Sequence, residues 1–180
     1  MEKTRLQQWI DNSQCINFIE MTLLSDAQGL GRLDIDLIKE AEIFKTKQKR
    51  QIKTRSKYLT LSKLWIFGAY ELVRLIDEIT TTREDLVSQE SRTKIKQVKI
   101  ELEKIRIPLT KFKVPTRQKP EKKNRLFSQV PDSFIDSSGE VGWRVYTIID
   151  RRQTETYYRR SFGDLLLKLL ESISENMRAK

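Results

Sequence analysis

All four prolines, Pro108, Pro115, Pro120 and Pro131, fall in one window, and the residues before it hold only three glycines, Gly29, Gly31 and Gly68. Proline removes a helical hydrogen bond and glycine weakens a helix interior, so a stretch so poor in both can be almost wholly helical. Apolar spacing supports this. Leu6, Trp9, Ile10, Ile16, Ile19 and Leu23 recur at steps of three and four or their sums, which predicts a helix over 4–27 ended by Gly29-Leu30-Gly31. Asp34 or Asp36 suits the N-cap of a second helix bearing Leu37, Ile38, Ala41 and Phe44.

The strongest segment runs from about Ser56 to Thr82. Leu61, Leu64, Trp65, Gly68, Leu72, Leu75, Ile76 and Ile79 form one face, while Ile66, Phe67, Ala69 and Val73 cover much of the other. A helix apolar nearly all round belongs at the centre of its bundle. From Arg83 a further helix places Ile95, Val98, Leu102, Ile105, Leu109 and Phe112 on a seam, with Pro108 expected to kink or stop its last turn. Residues 113–140 read as a basic, proline-containing loop that closes on the turn-like Asp136-Ser137-Ser138-Gly139. Val141, Trp143, Val145 and Thr147 then alternate with Gly142, Arg144 and Tyr146, and Thr154, Thr156, Tyr157 and Tyr158 follow, which predicts a β-hairpin over 141–160. Ser161 and Asp164 resemble a capping box opening a last helix over 161–176. The expected fold is mainly α. It is one domain over 1–180, an antiparallel helical bundle (1–112 the main helices) with a long central helix and a small β-hairpin before the C-terminal helix.

Much chemistry is excluded by a single count, since the chain has no histidine. A Ser-His-Asp triad, a Cys-His pair and a His-bearing zinc site all need an imidazole. The single cysteine, Cys15, can build neither an intrachain disulfide nor a cysteine-rich cluster, and it fits a core position better than a nucleophile with no base to activate it. No apolar run reaches membrane-spanning length, and MEKTRLQQWIDNSQ does not resemble a signal peptide. These features suggest a cytoplasmic protein that does not engage a membrane.

Charge carries the main functional hint. The chain is formally +10. Residues 45–57 contribute Lys45, Lys47, Lys49, Arg50, Lys53, Arg55 and Lys57 with no acid between them. Residues 111–125 contribute Lys111, Lys113, Arg117, Lys119, Lys122, Lys123 and Arg125 against Glu121 alone. Together the two stretches exceed the balance of the whole chain, so the remainder is net acidic. Such concentration suits the phosphate backbone of RNA or DNA, which binds through counterion release; otherwise the stretches are solvated faces. Neither run is interleaved with aromatics, so base stacking gains no support from them.

Weaker motifs have simpler readings. Gly29-Leu30-Gly31-Arg32 follows no strand and lacks a Gly-rich continuation, so helix termination explains it better than a phosphate cradle. Asp34-Ile35-Asp36 is explained by capping rather than by a divalent ion, and Glu121-Lys122-Lys123 lies in the proline loop rather than on a nuclease strand. No catalytic residue, metal ligand or cofactor is assigned. Glu71 and Arg74 stand three apart on the most apolar helix and can pair, with Asp77 as a further candidate member, as a structural ion pair or as ligand-binding groups.

WIFGAYELVR at 65–74, RIPLTKF at 106–112, and Gly142-Trp143 followed by a C-terminal helix resemble the HEPN-like helical superfamily, over about residues 56–175. The resemblance implies an antiparallel helical bundle, homodimerisation, and a role as an RNase or as a partner in toxin–antitoxin and defence systems. The family's catalytic motif sets a histidine after an arginine with four to six residues between them. After Arg74 the corresponding positions are Ile79, Thr80 and Thr81. The resemblance therefore carries the fold and a binding role but not that RNase chemistry. Three functions follow in order: a non-catalytic module binding nucleic acid, a dimeric interaction or regulatory module, and an atypical nuclease.

Overall fold

The computed structural model describes residues 3–46, 52–111, 131–146 and 154–178. The fold is mainly helical, with a small antiparallel sheet before the C-terminal helix. In chain order the elements are α1 (Arg5–Ser13), α2 (Ile16–Ile19), α3 (Thr22–Thr46), α4 (Ile52–Thr82), α5 (Gln89–Lys111), β1 (Asp132–Ile135), β2 (Val141–Tyr146), β3 (Thr154–Tyr158) and α6 (Arg159–Arg178).

Helix α4 is central, as its apolar girth requires. At the standard rise its 31 residues span about 46 Å. It packs against α3, α5 and α6, and Trp65, Ile66, Ala69, Val73 and Ile76 are fully buried on it. Neighbours run antiparallel. Trp65 Nε1 donates to the Leu30 carbonyl at 3.0 Å and Tyr58 stacks on Phe44, which sets α3 against α4. Lys99–Asp77 and Arg106–Glu71 contacts set α5 against α4, and Lys94–Ser172 and Asn176–Ser91 hydrogen bonds set α6 against α5. Leu64 departs from the expected stripe and is 53% exposed.

The N-terminal third differs from its expected form. One helix over 4–27 is replaced by α1, α2 and the start of α3. Glu20 is extended, and its carboxylate accepts from the Thr22 backbone N–H at 3.4 Å and the Thr22 hydroxyl at 3.1 Å, so the chain turns there and α1 folds back onto α3. Gly29 and Gly31 do not end a helix either, for α3 runs through both. A Cβ on Gly31 would lie 2.7 Å from Trp9 Cγ, so the glycine admits the indole of α1. Asp34 and Asp36 are interior residues of α3, not caps. Pro108 is accommodated inside α5, which continues to Lys111.

The sheet also departs from the expected hairpin. It has three strands in the order β1-β2-β3, and β1 occupies part of what reads as loop in the sequence. Phe134 pairs with Gly142 and Ile135 with Val141, while Gly142 pairs with Tyr158 and Trp143 with Tyr157. The β1–β2 turn falls at the expected Asp136–Gly139 segment, where Asp136 Oδ1 accepts from the Ser138 and Glu140 backbone N–H groups at 2.9 and 3.0 Å. Gly139 sits at φ 83°, a left-handed conformation that suits glycine, and a Cβ there would overlap the Ala41 carbonyl. The turn thus seats directly on the last turns of α3, where Tyr58 donates to the Gly139 carbonyl at 3.1 Å. Helix α6 starts at Arg159, ahead of the expected capping box, with Ser161 and Asp164 already inside it. Phe112 and Thr147 lie outside the described residues.

Candidate nucleic-acid interface

The described portions of the two basic stretches come to the half of the bundle that bears the sheet. Lys45 is exposed near the end of α3, and Arg55 and Lys57 are exposed in the first turns of α4. Lys53 belongs to the first turn of α4 and Lys111 to the last turn of α5. The register set by the Asp77–Lys99 and Glu71–Arg106 contacts puts Lys111 opposite Trp65–Ile66, so α4 projects past α5 by its first three turns or so. The two stretches therefore leave the bundle on one half but not at one level. Lys47, Lys49, Arg50, Lys113, Arg117, Lys119, Lys122, Lys123 and Arg125 lie outside the described residues. Glu84, Asp85 and Glu90 stand at the α4–α5 turn, on the opposite end of the bundle.

The same half of the bundle carries a surface that the basic stretches themselves do not announce. Strand alternation sends Val141, Trp143 and Val145 toward the helices, and Val141 and Trp143 are buried. Gly142 and Arg144 therefore point the other way. With them, by register, go Phe134 of β1 and Tyr158 of β3, both facing Gly142. The Phe134 and Tyr158 rings meet edge to face with centroids 6.1 Å apart, above a glycine whose Cβ would lie 2.5 Å from Phe134 Cζ. Arg144 Cζ lies 4.9 Å from the Phe134 centroid, and its side chain is 51% exposed. Its Nη1 is 3.9 Å from Asp132 Oδ2. Both aromatics are half-buried and outside the hydrophobic core. Sequence reading missed this cluster because its members are separated along the chain. The available signal was Gly142 at the centre of an otherwise bulky strand.

A second group that the sequence hides is a buried charge network. Asp34 is fully buried and accepts from Arg5 Nε at 2.7 Å, Trp9 Nε1 at 3.0 Å and Arg159 Nη1. Arg159 is also fully buried, with its guanidinium 5.7 Å from the Trp65 ring. Glu140 stands 3.9 Å from Arg159 Nη2 and 3.5 Å from Arg160 Nη1, and burial raises its pKa above the ordinary carboxylate value. The network ties α1, α3, the β1–β2 turn and α6 together. Its carboxylates are matched by guanidiniums, so it reads as a clasp between elements.

Glu71 and Arg74 do pair. Arg74 donates to Glu71 at 2.7 Å and to Glu78 at 2.5 Å, and Arg106 reaches the other Glu71 oxygen at 3.3 Å. Asp77 is not part of this group, being nearly buried and paired with Lys99 at 2.6 Å. The Glu71–Arg74 pair is partly exposed, which suits a surface ion network along α4 and α5. Cys15 is buried, with its thiol 3.6 Å from the Leu170 carbonyl, and burial pushes its pKa up to about 12. Among the described residues no group of three or more His, Cys, Asp or Glu side chains could hold a metal ion, and no helix is long and apolar enough to cross a membrane.

Comparison of the chain with protein-family models, with curated proteins and with solved structures gives no match.

Proposed function

We propose that this chain is a non-catalytic helical module, HEPN-like in architecture, that binds nucleic acid through the sheet-bearing half of its bundle. One observation carries the reading: the excess positive charge is confined to two stretches, and both leave the bundle on that half. A cationic surface of this kind gains affinity from phosphate neutralisation, and each contact steepens the salt dependence by about one unit.

The test is affinity for RNA and DNA across several salt concentrations. Replacing Lys47, Lys49 and Arg50 by Glu, and separately Lys119, Lys122 and Lys123, should weaken binding alike on all sequences and flatten the salt slope by about three units for each triple. Unchanged affinity and slope in both variants would reduce the two stretches to solvated faces.

A second reading, a homodimeric interaction module, draws on a different place. Phe18 and Met21 are 68% and 70% exposed, and Phe18 borders a cleft of about 420 Å³ lined also by Cys15, Leu86 and Met177. Large exposed apolar side chains grouped in this way suit protein contact. A monomeric mass in sedimentation, unchanged by Phe18→Ser, would dismiss it.

A further inference from the structure

Resting on that reading, we infer that the face of the sheet turned away from the helices stacks unpaired bases, so that the nucleic acid taken by this chain is single-stranded. The basic stretches account for attraction to any phosphate backbone. They do not choose between duplex and single strand. The choice falls to the outer face of the sheet.

A solvated antiparallel sheet ordinarily presents polar side chains on its outer face. Here that face carries Phe134 and Tyr158 on the two outer strands, with Gly142 between them on the central one. The glycine leaves the middle of the sheet without a side chain, and the Phe134 ring lies across it. Two aromatic rings thus adjoin with centroids 6.1 Å apart, outside the core and partly exposed. Arg144 stands over Phe134 from the next position along the same face, adding a planar cation that can stack on a base or meet a phosphate.

Aromatic rings on a cationic surface are the elements that hold single strands without reading sequence, because every base offers a π face. In a duplex those faces are already stacked on one another, so the exposed part of each ring reaches few of them. Charge complementarity fixes the occupant as polyanionic. Gly139, in the turn at the end of the same sheet, lies against the Lys45 backbone, and Arg144 stands on the face itself with its side chain 51% exposed. A strand whose bases rest on Phe134 and Tyr158 would keep its phosphates within reach of these cations.

The test uses the full chain with labelled oligo(U), oligo(dT) and a short duplex, read by fluorescence anisotropy, with Phe134→Leu and Tyr158→Leu as variants. Single strands should bind more tightly than duplex. Each variant should weaken single-strand binding by about 5- to 100-fold, as expected for the loss of one stacked base. Duplex affinity and the salt slope should stay as they were, since no phosphate contact is removed. A role confined to bracing the sheet predicts a lower melting temperature and equal losses on both probes, and that result overturns the inference. So does duplex binding as tight as single-strand binding; if that binding is salt-dependent, the charge-based reading survives. Absence of binding to every probe removes both. Photocross-linking of 4-thiouridine RNA to the unaltered chain decides the case if a variant fails to fold. Adducts within 132–135 or 154–158 support the platform, and adducts only elsewhere refute it.

Discussion

Replacing Asp34 by Ala should be among the most damaging single changes in this chain. Asp34 is fully buried and takes three donors, from Arg5, Trp9 and Arg159. Arg5 keeps Asp164 as a partner at 2.5 Å and is partly exposed, so its guanidinium can turn to water. Arg159 cannot. Its side chain is fully buried, and the remaining carboxylate, Glu140, is 3.9 Å away. Removing one member of a buried pair leaves the other charge uncompensated, at a cost of about 3–5 kcal/mol. For a domain of this size that lowers the melting temperature by roughly 6–20 °C and consumes a large share of a typical total stability. Urea unfolding followed by far-ultraviolet circular dichroism measures the loss. Adding Arg159→Met to Asp34→Ala removes the stranded charge, so the double variant should lose less than the two single losses combined, with a coupling of about 1–3 kcal/mol. A loss under about 1 kcal/mol for Asp34→Ala, or strict additivity in the cycle, would refute the clasp.

Three further outcomes are expected. Burial raises the Glu140 pKa above its ordinary value of 4.5, so the folded state holds the proton more tightly than the unfolded chain; the resulting stability is present below that value and lost as pH rises through the folded pKa. Glu140→Gln should therefore be more stable than the parent near neutral pH, with the gap closing in acid, and a less stable variant at neutral pH would contradict this. Cys15, its thiol pushed up to about 12, should react with iodoacetamide in the native state at least about 100-fold more slowly than in urea, and equal rates would show the site to be open. Leu72→Ala should cost about 2–5 kcal/mol, whereas Leu64→Ala, on the same helix but 53% exposed, should cost under about 0.5 kcal/mol in the same unfolding assay.

Leu64 and Leu72 also mark how far the sequence could be read. The central place of α4 follows from an apolar surface wider than one stripe, and the paucity of breakers before Pro108 makes a helical fold almost unavoidable. Local rules failed where a distant partner overrode them. Glycine at 31 costs the helix on its own, yet the Trp9 indole needs the space, and tertiary packing outweighs a propensity of about 1 kcal/mol. Asp34 looks like a cap because aspartate often is one, but it shares a stripe with Ala27, Gly31, Leu37 and Ala41, all of them buried. An acid on such a stripe is a buried acid in search of cations. Those cations are 29 and 125 residues away, so composition and spacing cannot name them.

The aromatic face of the sheet follows the same logic with the sign reversed. Phe134 and Tyr158 lie in different short strands, and Asp132–Ile135 is too brief, and too close to Pro131, to read as a strand at all. Only the register brings the two rings to one glycine. A chain that needed the sheet merely to cap its bundle would require the inner face, where Val141 and Trp143 complete the core. Burying the inner face does nothing for the outer one, and no core contact accounts for aromatic rings there. Cross-strand packing explains part of the cost of exposing them. Under the proposed stacking role, Arg144 over Phe134 gives that exposure a use, and the strand-selective loss expected of Phe134→Leu and Tyr158→Leu separates the use from the packing.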